Sequence, residues 1–189
     1  TIINVSFDAP TARLSADVTN EITTLIRHLL RNLPEDFTVG LISNAQGNRG
    51  ELLHWVLMAL GVQVGVNASY VQLFAQFQDF LIEEYAEGRR TMLIFDEAQN
   101  LSVETLEELR MFSNINADKD ELIQLVLVGQ PELRALIHQP RLEQFAQRVA
   151  ADYHLPAMSA AAVEQYIRHR LSVAGASREI FTPAACESV

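Results

Sequence analysis

Two strongly apolar runs set the architecture open to this chain. Met92–Phe95, M-L-I-F, runs straight into Asp96-Glu97, and Leu122–Val128, containing I-Q-L-V-L-V, stops at Gly129-Gln130-Pro131. Both are short for helices and lack the polar alternation of a half-exposed strand, so they read as strands covered on both faces. Strands of that kind belong to a parallel sheet between helix layers. The flanking segments supply the helices.

Thr1–Phe7, T-I-I-N-V-S-F, reads as a first strand closed by Asp8, Ala9 and Pro10. Ile22, Leu25, Ile26, Leu29 and Leu30 recur at helical spacing, which predicts a helix over Thr19–Arg31 that ends before Pro34. Phe37–Ser43 is a second strand, and helices are expected over Glu51–Leu60, Val71–Ala86 and Val103–Phe112. A polar loop over Asn114–Asp120 precedes the second apolar run, Arg141–Val149 reads as helical, and Ala150–Leu155 as a short edge strand. Ser159 is placed to cap a helix over Ala160–Val173, with Gly175 as its stop. The alternation predicts a three-layer α/β/α domain with a mainly parallel sheet over residues 1–156, and the beginning of a helical second domain over 157–189.

The 189 residues are 49% hydrophobic and 20% charged, which excludes disordered and low-complexity classes and predicts a soluble, folded protein. Fourteen Lys and Arg against twenty-four Asp and Glu leave a net charge of −10, which argues against a duplex nucleic-acid partner bound by neutralising phosphates. A single cysteine, Cys186, allows no intrachain disulfide and fits a reducing compartment. No apolar run reaches the roughly 18 residues of a membrane span, so any membrane link is expected outside this chain. Thirteen of the fourteen cationic residues are arginine, and the only lysine is Lys119.

Open parallel sheets bind ligands beyond the carboxyl ends of their strands. Four apolar residues followed by Asp96-Glu97 match the strand end at which a Walker B motif holds magnesium with the aspartate and orients water with the glutamate. On these two acids alone, simple capping of a strand remains equally open. Gln130 ends the other apolar run, where it would stand beside Asp96 and sense a γ-phosphate or orient water; a plain Gln-Pro turn is the alternative. Arg148, in Q-F-A-Q-R-V, is a candidate to reach a phosphate across a subunit interface, or else a solvated surface arginine. His28, His54, His138, His154 and His169 show no metal-binding spacing.

Longer stretches sharpen the reading. T-T-L-I-R-H-L-L at Thr23–Leu30, L-P-E-D at Leu33–Asp36, G-R-R-T-M-L-I-F-D-E-A-Q-N-L at Gly88–Leu101, E-E-L-R-M-F-S-N at Glu107–Asn114 and L-V-L-V-G-Q-P-E-L at Leu125–Leu133 occur in order, followed by Y-H-L-P and Y-I-R-H-R-L. In these motifs the chain resembles the AAA+ ATPases of the general secretion pathway A component, a family that includes ATPases of pilus-biogenesis and exosortase loci. The resemblance covers Thr23 to about Val189. It implies a P-loop NTPase fold with a helical lid cut short at Val189, ATP and magnesium as cofactors, and self-association through the AAA+ domain. It further implies secretion or pilus machinery as partner and a cytoplasmic location, with membrane or peptidoglycan links supplied by other regions. On the residues it implies Thr23 and Asp96 at the metal, Glu97 and Gln130 at the reacting phosphate, and Arg148 from a neighbouring subunit.

The family places G-x-x-x-x-G-K-T just before T-L-I-R-H-L-L, because backbone N–H groups must approach the phosphates and a lysine must reach the β and γ oxygens. Here the same positions read A-D-V-T-N-E-I-T. Ala16 and Glu21 replace the glycines and Ile22 replaces the lysine, while Thr23 and Thr24 survive. Glu21 adds repulsion: at an effective dielectric of 20, a like charge 4 Å away costs about 4 kcal/mol before screening. Gly47–Gly50, G-N-R-G, offers neither a lysine nor a following hydroxyl. The sequence therefore predicts an AAA+ domain with ATP binding lost or weakened, serving as a scaffold or regulatory module that holds no cofactor or holds it weakly. The alternative is a working ATP-hydrolysing motor domain.

Overall fold

The computed structural model describes residues 1–7, 26–43, 51–65, 67–117, 120–156, 159–175, 180–182 and 185 of the chain. Its centre is a five-stranded sheet built from β1 (Ile2–Phe7), β2 (Phe37–Ser43), β3 (Arg90–Asp96), β6 (Ile123–Gly129) and β7 (Val149–Leu155), in the order β2-β3-β6-β1-β7. Every pairing in it is parallel. The two long apolar runs are neighbours, with Leu93 opposite Leu125 and Phe95 opposite Leu127. Their burial on both faces explains the absence of polar alternation.

Two hydrophobic layers result. On one face, Leu93, Phe95, Leu125 and Leu127 are closed off by α2 (Glu51–Ala59), α3 (Tyr70–Ala86), α4 (Val103–Phe112) and α5 (Pro131–Ile137). On the other, Met92, Ile94, Val126 and Val128 pack with Ile26 and half-buried Leu30 of α1, the helical residues 26–32. At about 1.5–3 kcal/mol for each large side chain fully buried, these strands supply much of the drive for folding. Residues 19–25 of the expected first helix lie outside the described residues.

The helices start where capping chemistry permits. Ser69 opens α3 with a reciprocal capping box: its hydroxyl accepts from the Gln72 N–H while Gln72 Oε1 accepts from the Ser69 N–H at 2.8 Å. Ser102 caps α4 by accepting from the Thr105 N–H at 3.1 Å. At the amino end of the sheet, Glu84 of α3 is held by two bonds from Arg89, at 2.8 and 2.6 Å, and by the Thr38 hydroxyl of β2.

Two segments differ from the sequence reading. Arg141–Val149 is not one helix: a 3-10 turn at Pro140–Leu142 leads into the four-residue α6 (Glu143–Ala146), and Val149 already belongs to β7. Pro140 at the start of the turn has no N–H for a preceding helix to use, so the segment restarts there. The polar loop after α4 contains a minimal antiparallel hairpin, β4 (Asn116–Ala117) with β5 (Asp120–Glu121). Tyr85 donates to Asp120 at 2.5 Å beside it.

Contacts divide the chain into two compact units, Thr1–Leu155 and Pro156–Val189. The second contains α7 (Ala160–Val173), capped by Ser159, which accepts from the Ala162 N–H at 3.3 Å. Within α7, Arg168 bonds Glu164 at 2.8 Å and Arg170 lies 6.0 Å from the Tyr166 ring centre. Gly175, at φ 84°, follows it in a backbone conformation that glycine adopts without strain. Among the described residues, no helix is long and apolar enough to cross a membrane.

Candidate functional site

The carboxyl ends of β3 and β6 form one rim because the strands are parallel and adjacent. Asp96 ends β3 half-buried, and burial pushes its carboxyl group above the usual aspartate range, partly opposed by a bond from the Glu97 N–H at 2.9 Å. The chain then turns sharply. Glu97 stands at φ 55°, ψ 37°, a left-handed conformation unusual for a residue with a side chain, and a 3-10 turn follows over Ala98–Asn100. Ala98 is fully buried and pins that turn to the core.

Gln130 leaves β6 on the same rim. It occupies the N-cap position of α5, with Pro131 at the first helical position, and its side chain makes no capping bond. Its backbone N–H donates instead to Gln99 Oε1 at 3.1 Å, across 31 residues of chain. Gly129 makes room for this contact: a Cβ there would come within 2.6 Å of Gln99 Oε1 and 3.0 Å of Leu133 Cδ2. The structure thus brings Asp96, Glu97 and Gln130 onto one rim and adds Gln99, to which the sequence assigned no role. A glycine closing an apolar strand was the available signal, since it marks close backbone approach.

Arg148 lies elsewhere. It immediately precedes β7, whose first residue Val149 pairs with Ile2 at the amino end of β1. Its charge is felt by Glu121, whose carboxyl is held low first by the amino group and hydroxyl of Thr1 and further by Arg148. Seven strand residues at about 3.3 Å each put roughly 20 Å between the two ends of the sheet, so Arg148 does not reach Asp96 of its own copy.

Ala16, Glu21, Ile22, Thr23 and Thr24 lie outside the described residues. The topology fixes what they connect: residues 8–25 join the carboxyl end of β1 to α1, and β1 lies between β6 and β7. In a doubly wound sheet the phosphate-binding turn occupies that connection. Buried polar groups of β1 meet exposed residues of β7, with Asn4 donating to Asp152 at 3.0 Å and Ser6 3.2 Å from His154 Nδ1. The chain's only lysine, Lys119, is also outside the described residues, between Ala117 and Asp120 of the hairpin that leads to the amino end of β6. As a magnesium site, the described rim offers one strand-end carboxylate, Asp96, with Oδ1 already bonded to the Glu97 N–H. That is a donor fit for a metal shared with phosphate, and among the described residues no group of three His, Cys, Asp or Glu side chains gathers to hold an ion alone.

A parallel sheet of this order, with acids ending the strand beside its centre and a connection after β1 leading into α1, defines a P-loop AAA-type ATPase domain. The chain belongs to the AAA domain family, whose model matches residues 23–137. It is related to General secretion pathway protein A of Aeromonas hydrophila, at 38% identity over 176 residues, covering 93% of this chain and 32% of that protein. The chain thus spans about a third of its relative. Among solved structures it is similar to Cdc6p from Pyrobaculum aerophilum, with a TM-score of 0.68, 15% identity and coverage of 98% of this chain and 46% of the other. The Aeropyrum pernix ORC2 protein matches with a TM-score of 0.64, 14% identity and coverage of 91% and 46%. These two likenesses establish the three-layer fold.

Proposed function

We propose that this chain is the AAA module of a secretion- or pilus-type ATPase in which nucleotide binding is lost or strongly weakened, so that the module acts as a scaffold or regulatory element. One observation carries the reading: Ala16, Glu21 and Ile22 stand where the family pattern has two glycines and a lysine, and the only lysine of the chain, Lys119, comes far along the sequence with no glycine-rich turn beside it. Without a lysine the phosphates lose their main counter-charge, and with Cβ atoms in place of hydrogens the backbone cannot close around them. The acids Asp96 and Glu97 are then left without the cation that the family's lysine position supplies.

ATP and ADP titrations with and without magnesium test this. The parent chain is expected to show no saturable binding at millimolar nucleotide, and the triple variant Ala16→Gly, Glu21→Gly, Ile22→Lys is expected to bind. The competing reading, an ATP-hydrolysing motor, draws on the preserved Asp96, Glu97 and Gln130. In that reading Arg148 works from a second copy, because it sits at the far end of its own sheet. Self-association through this domain, secretion or pilus partners, the lid role of the helical unit and a cytoplasmic setting belong to the same proposal. Kinship with General secretion pathway protein A supports the secretion partner.

A further inference from the structure

We infer that Gln99 is the positioning residue of this rim, the group that fixes Gln130 relative to Asp96 and Glu97. The inference rests on reading the rim as the AAA site and does not depend on whether nucleotide binds there. Gln99 sits two residues after Glu97 in the 3-10 turn, half-buried, and its Oε1 accepts the Gln130 N–H at 3.1 Å. That bond is the one polar tie the described structure gives between the turn that carries the acids and the residue that opens α5. It also explains a division of labour at Gln130. The backbone N–H is held by Gln99 while the Gln130 side chain makes no capping bond, which leaves the amide group available to a ligand.

Gly129 is the second, independent observation. A Cβ at this position would approach Gln99 Oε1 at 2.6 Å and the Gln99 backbone nitrogen at 3.2 Å, so the glycine is the gap through which the two segments meet. Because Gln99 is joined through buried Ala98 to Glu97, whose N–H in turn bonds Asp96, a shift at Gln99 reaches both acids. The bond ties the two strand ends together beyond Phe95 and Leu127, where the backbone pairing stops.

The test is made by NMR on the 189-residue chain and uses no nucleotide, so its failure leaves the nucleotide proposal standing and the reverse also holds. First, a scalar coupling transmitted through the hydrogen bond, from the Gln130 amide nitrogen to the Gln99 Cδ, is expected in the parent; its absence overturns the inference without any variant. Second, Gln99→Met, which keeps the length and removes the acceptor, is expected to speed hydrogen exchange of the Gln130 amide about fivefold. It should also shift the Glu97 amide resonance, while β2 resonances stay in place. Gln99→Glu, which keeps an acceptor oxygen, should restore both signals, and Gly129→Ala should reproduce the Met result. Unchanged exchange at Gln130 in Gln99→Met overturns the proposal. So does faster exchange at Gln130 with Glu97 unmoved, because the bond would then exist without positioning the acids.

Discussion

The carboxylate of Asp96 accepts the backbone N–H of its own neighbour Glu97 at 2.9 Å, and Glu97 is the one non-glycine residue among those described with positive φ, 55°. The two facts belong together. The bond holds the Asp96 carboxylate against the peptide group that leads into the left-handed turn, and it offsets part of that turn's conformational cost. A turn of this kind suits a site where an acid must be held at the end of a buried strand.

Side-chain shape at Glu97 should therefore set stability in a definite order. Glu97→Gly removes the Cβ penalty at the cost of a more flexible unfolded chain, and is expected to be neutral to about 1 kcal/mol more stable. Glu97→Val, β-branched at positive φ, should lose about 1–2 kcal/mol. Denaturant midpoints of the two variants beside the parent measure the order, and a Val variant as stable as the Gly variant would show that the turn carries no strain.

Asp96 and Glu84 predict opposite responses to pH. Burial raises the Asp96 carboxyl group, so its contribution to stability is fully present below the unfolded-state value and is lost as pH rises through the folded one. Asp96→Asn should accordingly be more stable than the parent at pH 7, the difference closing below about pH 4. Glu84 is lowered, chiefly by its bonds from Arg89 against the opposing effect of burial, with Thr38 adding to the lowering. Its contribution is present above the unfolded-state value and is lost as pH falls through the folded one. Glu84→Gln should therefore be less stable than the parent at pH 7, with the gap closing in acid. Thermal melts at pH 3–8 read both signs.

Packing contrasts sharpen the account of the core. Phe112 is fully buried, with its ring 5.1 Å from Phe77 and 6.3 Å from Phe74, so Phe112→Ala should cost about 3–5 kcal/mol through lost burial and the cavity left behind. Trp55 on α2 is 49% exposed, and Trp55→Ala should stay within about 0.5 kcal/mol. Equal losses from the two changes would contradict the layer assignment.

What the sequence made legible follows the physics of each segment. β3 and β6 are legible because burial on both faces leaves runs that are almost wholly apolar, and α4 matches the expected Val103–Phe112 at both ends. β7 matches the expected edge strand at Ala150–Leu155 although only Tyr153 there is a strong β-former, while Arg141–Val149 breaks up because the 3-10 turn at Pro140–Leu142 and the four-residue α6 are too short for periodicity to register. The two-residue strands of the hairpin lie below that limit as well. Asp96, Glu97 and Gln130 were visible as polar residues ending apolar runs. Gln99 is not legible from its own surroundings, since its partner is 31 residues away and the one signal is the glycine that ends β6. Ala16, Glu21, Ile22, Thr23 and Thr24 follow from their place in a family motif, and they fall outside the described residues.

Nucleotide titration of the parent chain beside the triple variant Ala16→Gly, Glu21→Gly, Ile22→Lys decides whether the replaced residues disable the site. No saturable ATP or ADP binding is expected of the parent at millimolar nucleotide, with or without magnesium, and clear magnesium-dependent binding is expected of the variant. Saturable binding and ATP hydrolysis by the parent, with hydrolysis abolished by Glu97→Gln, would contradict it and establish the motor reading.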